Sequence, residues 1–216
     1  MAARLAHELR TPLAVVRSSL DNADQVPADE RPLYLERARN GAERLERILD
    51  RLREATGLEQ ALRQAEPVEF DLAALLRLQV ESLGGLYPDA RIELECPDTP
   101  VTVRGVPDLV SQAMDKLAAN AVDFHVNDST IRVCLHTGGR EVVLSVRNEG
   151  PPLPPDRDVF QSMFSSRIGR QAEPHLGLGL YLVRLICEYH GGRAEALDRT
   201  EPDGVEVRLH LPREAR

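Results

Sequence analysis

The hydrophobic period of this 216-residue chain changes once, near residue 65, and that change limits the fold more than any single motif. Before it, apolar residues recur every three or four positions, the repeat of helices buried on one side. From Ala2 to about Ala23 the stripe is Leu5, Leu9, Leu13, Val16 and Leu20; from about Leu33 to Leu62 it is Ala38, Ala42, Leu45, Leu49, Leu52 and Ala55, with charges elsewhere. Between them NADQVPADERP carries two prolines and clustered charges, the composition of a short connection. Two antiparallel helices with one stripe each bury too little alone, so the pattern predicts a homodimer whose hairpins combine into a four-helix bundle.

Around QAEPVEF the heptad-like repeat stops and alternating β-branched segments begin, which puts a domain boundary within residues 62–70 and two domains at 1–62 and 67–216. In the second domain, helical patterns fall at about 71–84, 107–125 and 178–190, the last closed by Gly191 and Gly192. TIRVCLHT and EVVLSVRN alternate at period two around Gly138 and Gly139 and read as a hairpin, as do RAEAL and GVEVRLHL; RIELE and VTVRG are weaker strands. This order predicts a two-layer α/β sandwich with helices on one face of a sheet. The long stretch between Glu149 and His175, rich in Pro, Ser and Arg, reads as a lid.

Composition narrows the function classes. The chain has no Trp and only four Tyr and four Phe, so its cores are aliphatic and base stacking is disfavoured. A formal net charge of −8 opposes a sequence-independent grip on nucleic acid, although backbone amides can still hold a nucleotide. Cys96, Cys134 and Cys187 are single and odd in number, which fits neither a CxxC zinc site nor a secreted disulfide framework and points to a reducing cytoplasm. No apolar run approaches the roughly 20 residues of a membrane span, and no signal peptide is visible. His7 stands less than two turns into a helix that is already amphipathic, as expected if a longer protein continues upstream.

Four segments carry chemistry. HELRTPL, residues 7–13, pairs His7 with Glu8 and accepts Pro12 inside a helix, where a proline costs about 3 kcal/mol. Taken alone, it also describes a solvated helix face. In MDKLAANAVDFH, residues 114–125, Asn120 lies mid-helix, where its amide competes with the backbone; a capping or solvated role is one explanation and a magnesium-ligating carbonyl another. VRNEGPPLP, residues 146–154, leaves a strand into a turn with Asn148, Gly150 and three prolines. HLGLGLYLV, residues 175–183, sets Gly177 and Gly179 before an apolar helix, where backbone N–H groups and the helix dipole favour phosphates; a flexible helix start is the plain alternative.

In order and spacing, these segments resemble the sensor histidine kinases of bacterial two-component systems over nearly the whole chain. HELRTPL is similar to the H box, LAANAVDF to the N box, NEGPPLP to the G1 box, VFQSMF to the F box and HLGLGL to the G2 box. The resemblance implies a dimerisation and phosphotransfer hairpin followed by an ATP-binding domain of the GHKL (Bergerat) type. It implies that His7 faces outward to be phosphorylated, that Glu8 orients its imidazole, that Pro12 permits bending, and that Thr11 positions water for dephosphorylating a partner. Orienting one ring nitrogen through a bond at the other is general histidine chemistry.

On the nucleotide side the resemblance implies Asn120 as a ligand of Mg²⁺, Asn148 and Gly150 at the adenine, Gly177, Leu178 and Gly179 at the phosphates, and Arg167 or Arg170 reaching from the lid. It further implies a response regulator receiver domain as partner and a cytoplasmic location, with any membrane attachment through a region upstream. Several positions depart from the family's pattern. Asn148 stands where an aspartate is usual, Pro152 and His175 replace glycines, Lys116 replaces an asparagine and Asp123 a basic residue. Lys116 and Asp123 read as a swap that keeps one basic group near the phosphates. Two rival functions follow: a dimeric scaffold with a degraded nucleotide pocket, and an enzyme biased through Thr11 towards dephosphorylating its regulator.

Overall fold

The computed structural model describes residues 2–155, 158–160 and 178–213. Two compact units result, Met1–Gln60 and Ala61–Arg216. The first is a hairpin of α1 (Ala2–Ala23) and α2 (Arg31–Gln64), joined by residues 24–30. Gly41 lets the helices close in: a Cβ there would meet Val16 Cγ2 at 2.8 Å and the Pro12 carbonyl oxygen at 3.2 Å. Pro12 therefore lies inside α1 on the side turned to α2.

The single stripe read from the sequence divides in two here. Pro12, Ser19 and Ala23 on α1 and Ala38, Gly41 and Ile48 on α2 are buried, with Val16 and Leu45 half-buried between them. Leu13, Leu20, Leu35 and Leu49 instead remain 58, 46, 50 and 46% exposed. One position along a helix is a rotation of 100°, enough to turn Leu13 away from a seam that holds Pro12. The outward leucines are seven apart on α1 and fourteen apart on α2, with exposed Ala42 midway, so each helix carries a second heptad seam.

The second unit runs β1 (Val68–Asp71), α3 (Leu72–Leu86), β2 (Arg91–Glu95), β3 (Thr102–Gly105), α4 (Pro107–Phe124), β4 (Thr130–Gly138), β5 (Glu141–Glu149), α5 (Leu178–Tyr189), β6 (Arg193–Thr200) and β7 (Asp203–Pro212). Strands β2-β4-β5-β7-β6 form one sheet, parallel at β2/β4 and antiparallel elsewhere, while β1 and β3 pair separately. β1 overlaps the boundary segment that the sequence pattern places at residues 62–70. Its last residue, Asp71, caps α3 by accepting the Ala73 N–H at 3.0 Å and also accepts the Val101 N–H at 2.9 Å. The Val101 bond is the chief cause holding its carboxyl below the usual range.

Alternation decides the two faces of the main sheet. Ile131, Val133 and Leu135, Val142, Leu144 and Val146, and Val205, Val207 and Leu209 are buried with Leu76, Leu83, Met114, Leu117, Leu182 and Ile186 of the helices. The aliphatic core and the two-layer sandwich are as the sequence predicts. The opposite face is a ladder of ion pairs, including Arg147 to Glu206 at 2.9 Å, Arg208 to Glu206 at 2.7 Å and Arg193 to Glu141 at 2.9 Å. Burial alone would raise the Glu206 carboxyl, but the bonds from Arg208 and Arg147 outweigh it and hold it at about 2.

Candidate functional site

One end of the sandwich gathers most of the nucleotide-side residues. α4 turns Leu109, Val110, Ala113, Met114, Leu117, Ala118 and Ala121 inward. Lys116 and Asn120, four apart and half-buried, therefore share a flank of the helix beside the core face. Pro107 opens the helix at a position where its missing N–H costs nothing. After α4 the chain turns back at once: His125 is buried, and the Val126 N–H donates to the Glu149 carbonyl at 2.9 Å.

That bond brings the end of β5 against the end of α4. Asn148 continues the inward row of Val142, Leu144 and Val146 and is 7% exposed. Its Nδ2 donates to the Glu149 carbonyl at 3.2 Å, which leaves Oδ1 as the acceptor end of the amide. Gly150 has to be a glycine here, because a Cβ would stand 2.3 Å from the Phe124 carbonyl oxygen. Two further bonds hold the turn: the Leu153 N–H donates to Asp198 Oδ1 at 2.7 Å, and the Gly150 N–H to the Asp203 carbonyl at 3.3 Å.

α5 supplies the third side. Leu178 is buried, and Gly179 lies so near α4 that a Cβ on it would be 4.0 Å from Lys116 Cβ. The structure thus brings Lys116 beside Gly179 and Gly150 beside Phe124, with Asn120 on α4 between those two contacts. Burial first, then the charges of Asp123 and Asp115, raises the Tyr87 phenol, so Asp123 faces the end of α3. Arg167, Arg170, His175, Gly177 and most of the lid lie outside the described residues. Where the lid segment begins, Asp158 accepts the Phe160 N–H at 2.9 Å and pairs with Arg184 of α5 at 3.5 Å, while Val159 and Phe160 are buried.

His7 and Glu8 lie in the second turn of α1, and Thr11, exposed, follows one turn later. These belong to the first unit and the nucleotide-side residues to the second. Among the described residues no group of three or more His, Cys, Asp and Glu could hold a metal ion, and no helix is long and apolar enough to cross a membrane. Asp198, Asp158, Arg184 and His190 lie outside every motif of the sequence. Only His190 had a local signal, standing directly before the glycine pair that ends α5.

Comparison with known proteins bears on the family and the fold. Residues 1–61 match the family model described as His Kinase A (phospho-acceptor) domain, and residues 105–215 the one described as Histidine kinase-, DNA gyrase B-, and HSP90-like ATPase. The sensor protein VanS of Enterococcus faecium is 26% identical over 96% of this chain and 55% of its own length. The probable sensor histidine kinase TcrY of Mycobacterium tuberculosis is 28% identical over 96% of this chain and 44% of its own. The chain thus spans about half the length of these relatives. Among solved structures, the histidine kinase ThkA in complex with the response regulator protein TrrA matches all of this chain and 61% of its own, with a TM-score of 0.73 at 22% identity. Acinetobacter baumannii AdeS, a histidine kinase, matches 96% and 98% with a TM-score of 0.66 at 19% identity. At these identities the structural likeness speaks for the fold.

Proposed function

This chain belongs to the histidine kinase family, and from that premise we propose that it is the catalytic portion of a two-component sensor, an ATP-dependent kinase that phosphorylates its own His7. The observation that carries the reading is the convergence of Lys116, Asn120, Asn148, Gly150 and Gly179 at one end of the α/β unit. An imidazole nitrogen of His7 attacks the γ-phosphorus, a P–N bond forms, and ADP departs with the electron pair of the broken P–O bond. Glu8 takes the proton side of the ring and leaves the other nitrogen nucleophilic. An aspartate of a response regulator receiver domain then accepts the phosphoryl group, and Thr11 positions water for its later hydrolysis.

Little covalent work falls to the nucleotide side, whose task is positioning and charge neutralisation. This reading assigns Asn148 Oδ1 to the adenine amino group, and Lys116, Gly177, Leu178, Gly179 and Arg167 to the phosphates. Asn120 offers a neutral amide oxygen, and magnesium characteristically takes few protein ligands and completes its shell with phosphates and water. When bound, Mg²⁺ neutralises charge on the transferring phosphoryl group. The exposed leucine seams of the hairpin support a homodimer. An upstream sensor region would tie this cytoplasmic portion to the inner membrane.

Calorimetric titration with Mg-ATP tests the nucleotide side. Wild type should bind at sub-millimolar concentration, and Asn120→Ala should lose most of the magnesium-dependent part. A folded wild type that binds no Mg-ATP at millimolar concentration would favour a scaffold, for which the departures at Lys116, Asp123, Asn148 and Pro152 give the motive.

A further inference from the structure

The helix that carries Lys116 and Asn120 starts without a cap of its own. Val106 occupies the N-cap position and makes no side-chain bond, and Pro107 follows it. Instead, the Val106 N–H donates to His190 Nε2 at 2.9 Å, across 84 residues of sequence. On the other side of the ring Nδ1 lies 2.7 Å from the Ile186 carbonyl oxygen, which can only accept. Both contacts are hydrogen bonds in one tautomer alone, a neutral ring with its proton on Nδ1.

The surroundings hold the ring in that state. A Cβ on Gly105 of β3 would meet the imidazole at 2.5 Å and the Phe70 ring of β1 at 3.5 Å, so glycine there makes the space the ring fills. Tyr189 stands edge-on at 5.2 Å, its hydroxyl donated to the Ala65 carbonyl at 2.8 Å. The charged residues nearest in sequence on the neighbouring elements, Glu69 on β1, Arg104 on β3, Asp108 in the first turn of α4 and Glu188 on α5, are exposed. Burial, the larger influence, lowers the proton affinity of the ring, and the Ile186 carbonyl opposes it.

We propose that His190 is a positioning residue for the nucleotide site, a neutral imidazole that ties the start of α4 to the end of α5 and so keeps Lys116 and Asn120 in station with Gly179. The assignment rests on the reading of this site as the Mg-ATP site. A second ring proton would set an N–H against the Val106 N–H, breaking the tie and loosening the site in acid. The direction follows from linkage: a ring held neutral by burial keeps its full contribution above the ordinary histidine range and loses it as pH falls through the ring's own lowered proton affinity, below that range.

The test compares wild type, His190→Gln and His190→Leu in a series from pH 7.5 down to pH 4.5, by Val106 amide protection in hydrogen exchange and by Mg-ATP affinity. Glutamine can accept from Val106 without titrating. In wild type, Val106 protection should fall about tenfold in acid, the worth of one buried hydrogen bond, and affinity should weaken severalfold more than in His190→Gln. His190→Leu should behave at pH 7.5 as wild type does at the acid end of the series. Equal pH dependence of wild type and His190→Gln overturns the proposal, as does unchanged affinity in His190→Leu. Protection that responds while affinity does not reduces His190 to a structural tie and overturns the positioning role. Wild type that binds no Mg-ATP at any pH of the series overturns the nucleotide reading itself, and that outcome is told apart by the affinity arm alone.

Discussion

In the α/β unit the inward rows of β4, β5 and β7 are covered by helices of the same chain, whereas in the hairpin Leu13, Leu20, Leu35 and Leu49 keep about half their surface in water. The first unit leaves an apolar seam in water, as half of a bundle would, and the second covers its own apolar faces. This difference assigns the units different dependences: the hairpin should need a second copy to be stable, and the nucleotide site should not. It also predicts that damage to one unit can be separated from damage to the other.

The largest expected effect comes from charging the outward seam. Leu20→Glu with Leu49→Glu removes two half-exposed leucines from each side of the dimer, at about 0.7–1.5 kcal/mol for the part of each still to be buried, so the dimer Kd should rise by roughly two to four orders of magnitude. Sedimentation equilibrium should find a monomer that still binds Mg-ATP; a persisting dimer would break the comparison. Next is Glu206, whose side chain is 4% exposed between Arg147 and Arg208. Its carboxyl sits at about 2 against an ordinary 4.5, so its contribution is present above pH 4.5 and is lost as pH falls towards 2. Glu206→Gln should cost on the order of 3 kcal/mol at pH 7, read by urea denaturation of the α/β unit, and should flatten the acid limb.

A smaller effect is expected at Gly150→Ala, where the added Cβ must push the Phe124 carbonyl away. The cost should be about 1–3 kcal/mol, with weaker Mg-ATP binding and an unchanged dimer Kd. Smallest is Asn148→Asp. A charged acceptor gains on the order of 1 kcal/mol at the adenine, but the bond from Nδ2 to the Glu149 carbonyl disappears. Mg-ATP affinity should tighten by less than about tenfold while thermal stability falls slightly. A hundredfold gain would mean that Asn148 is a weak substitute rather than one accommodated by Glu149.

Much of this molecule could be read from period and order. The two long helices, the two hairpins, the sheet's helix-covered face and the segments that meet at the nucleotide end all carry local patterns. What escaped depends on long-range partners. β1 is four residues with Glu69 and Asp71 interleaved, and only its pairing with β3 makes it a strand. β2 runs parallel to β4, a choice that no local residue announces. Leu13 and Pro12 are neighbours in sequence but belong to different seams, which only the position of Gly41 on the other helix decides. Asp198 holds the turn at Leu153 from 45 residues away, and His190 holds Val106 from 84. The motifs were legible in the sequence, while the residues that hold them in place were not.

The most direct measurement is incubation of the dimer with γ-labelled ATP and Mg²⁺, comparing wild type with His7→Gln and testing the label for acid lability. Wild type should take up acid-labile label and His7→Gln none. No label on a folded wild-type dimer that binds Mg-ATP, or equal label on His7→Gln, would contradict an autokinase acting at His7.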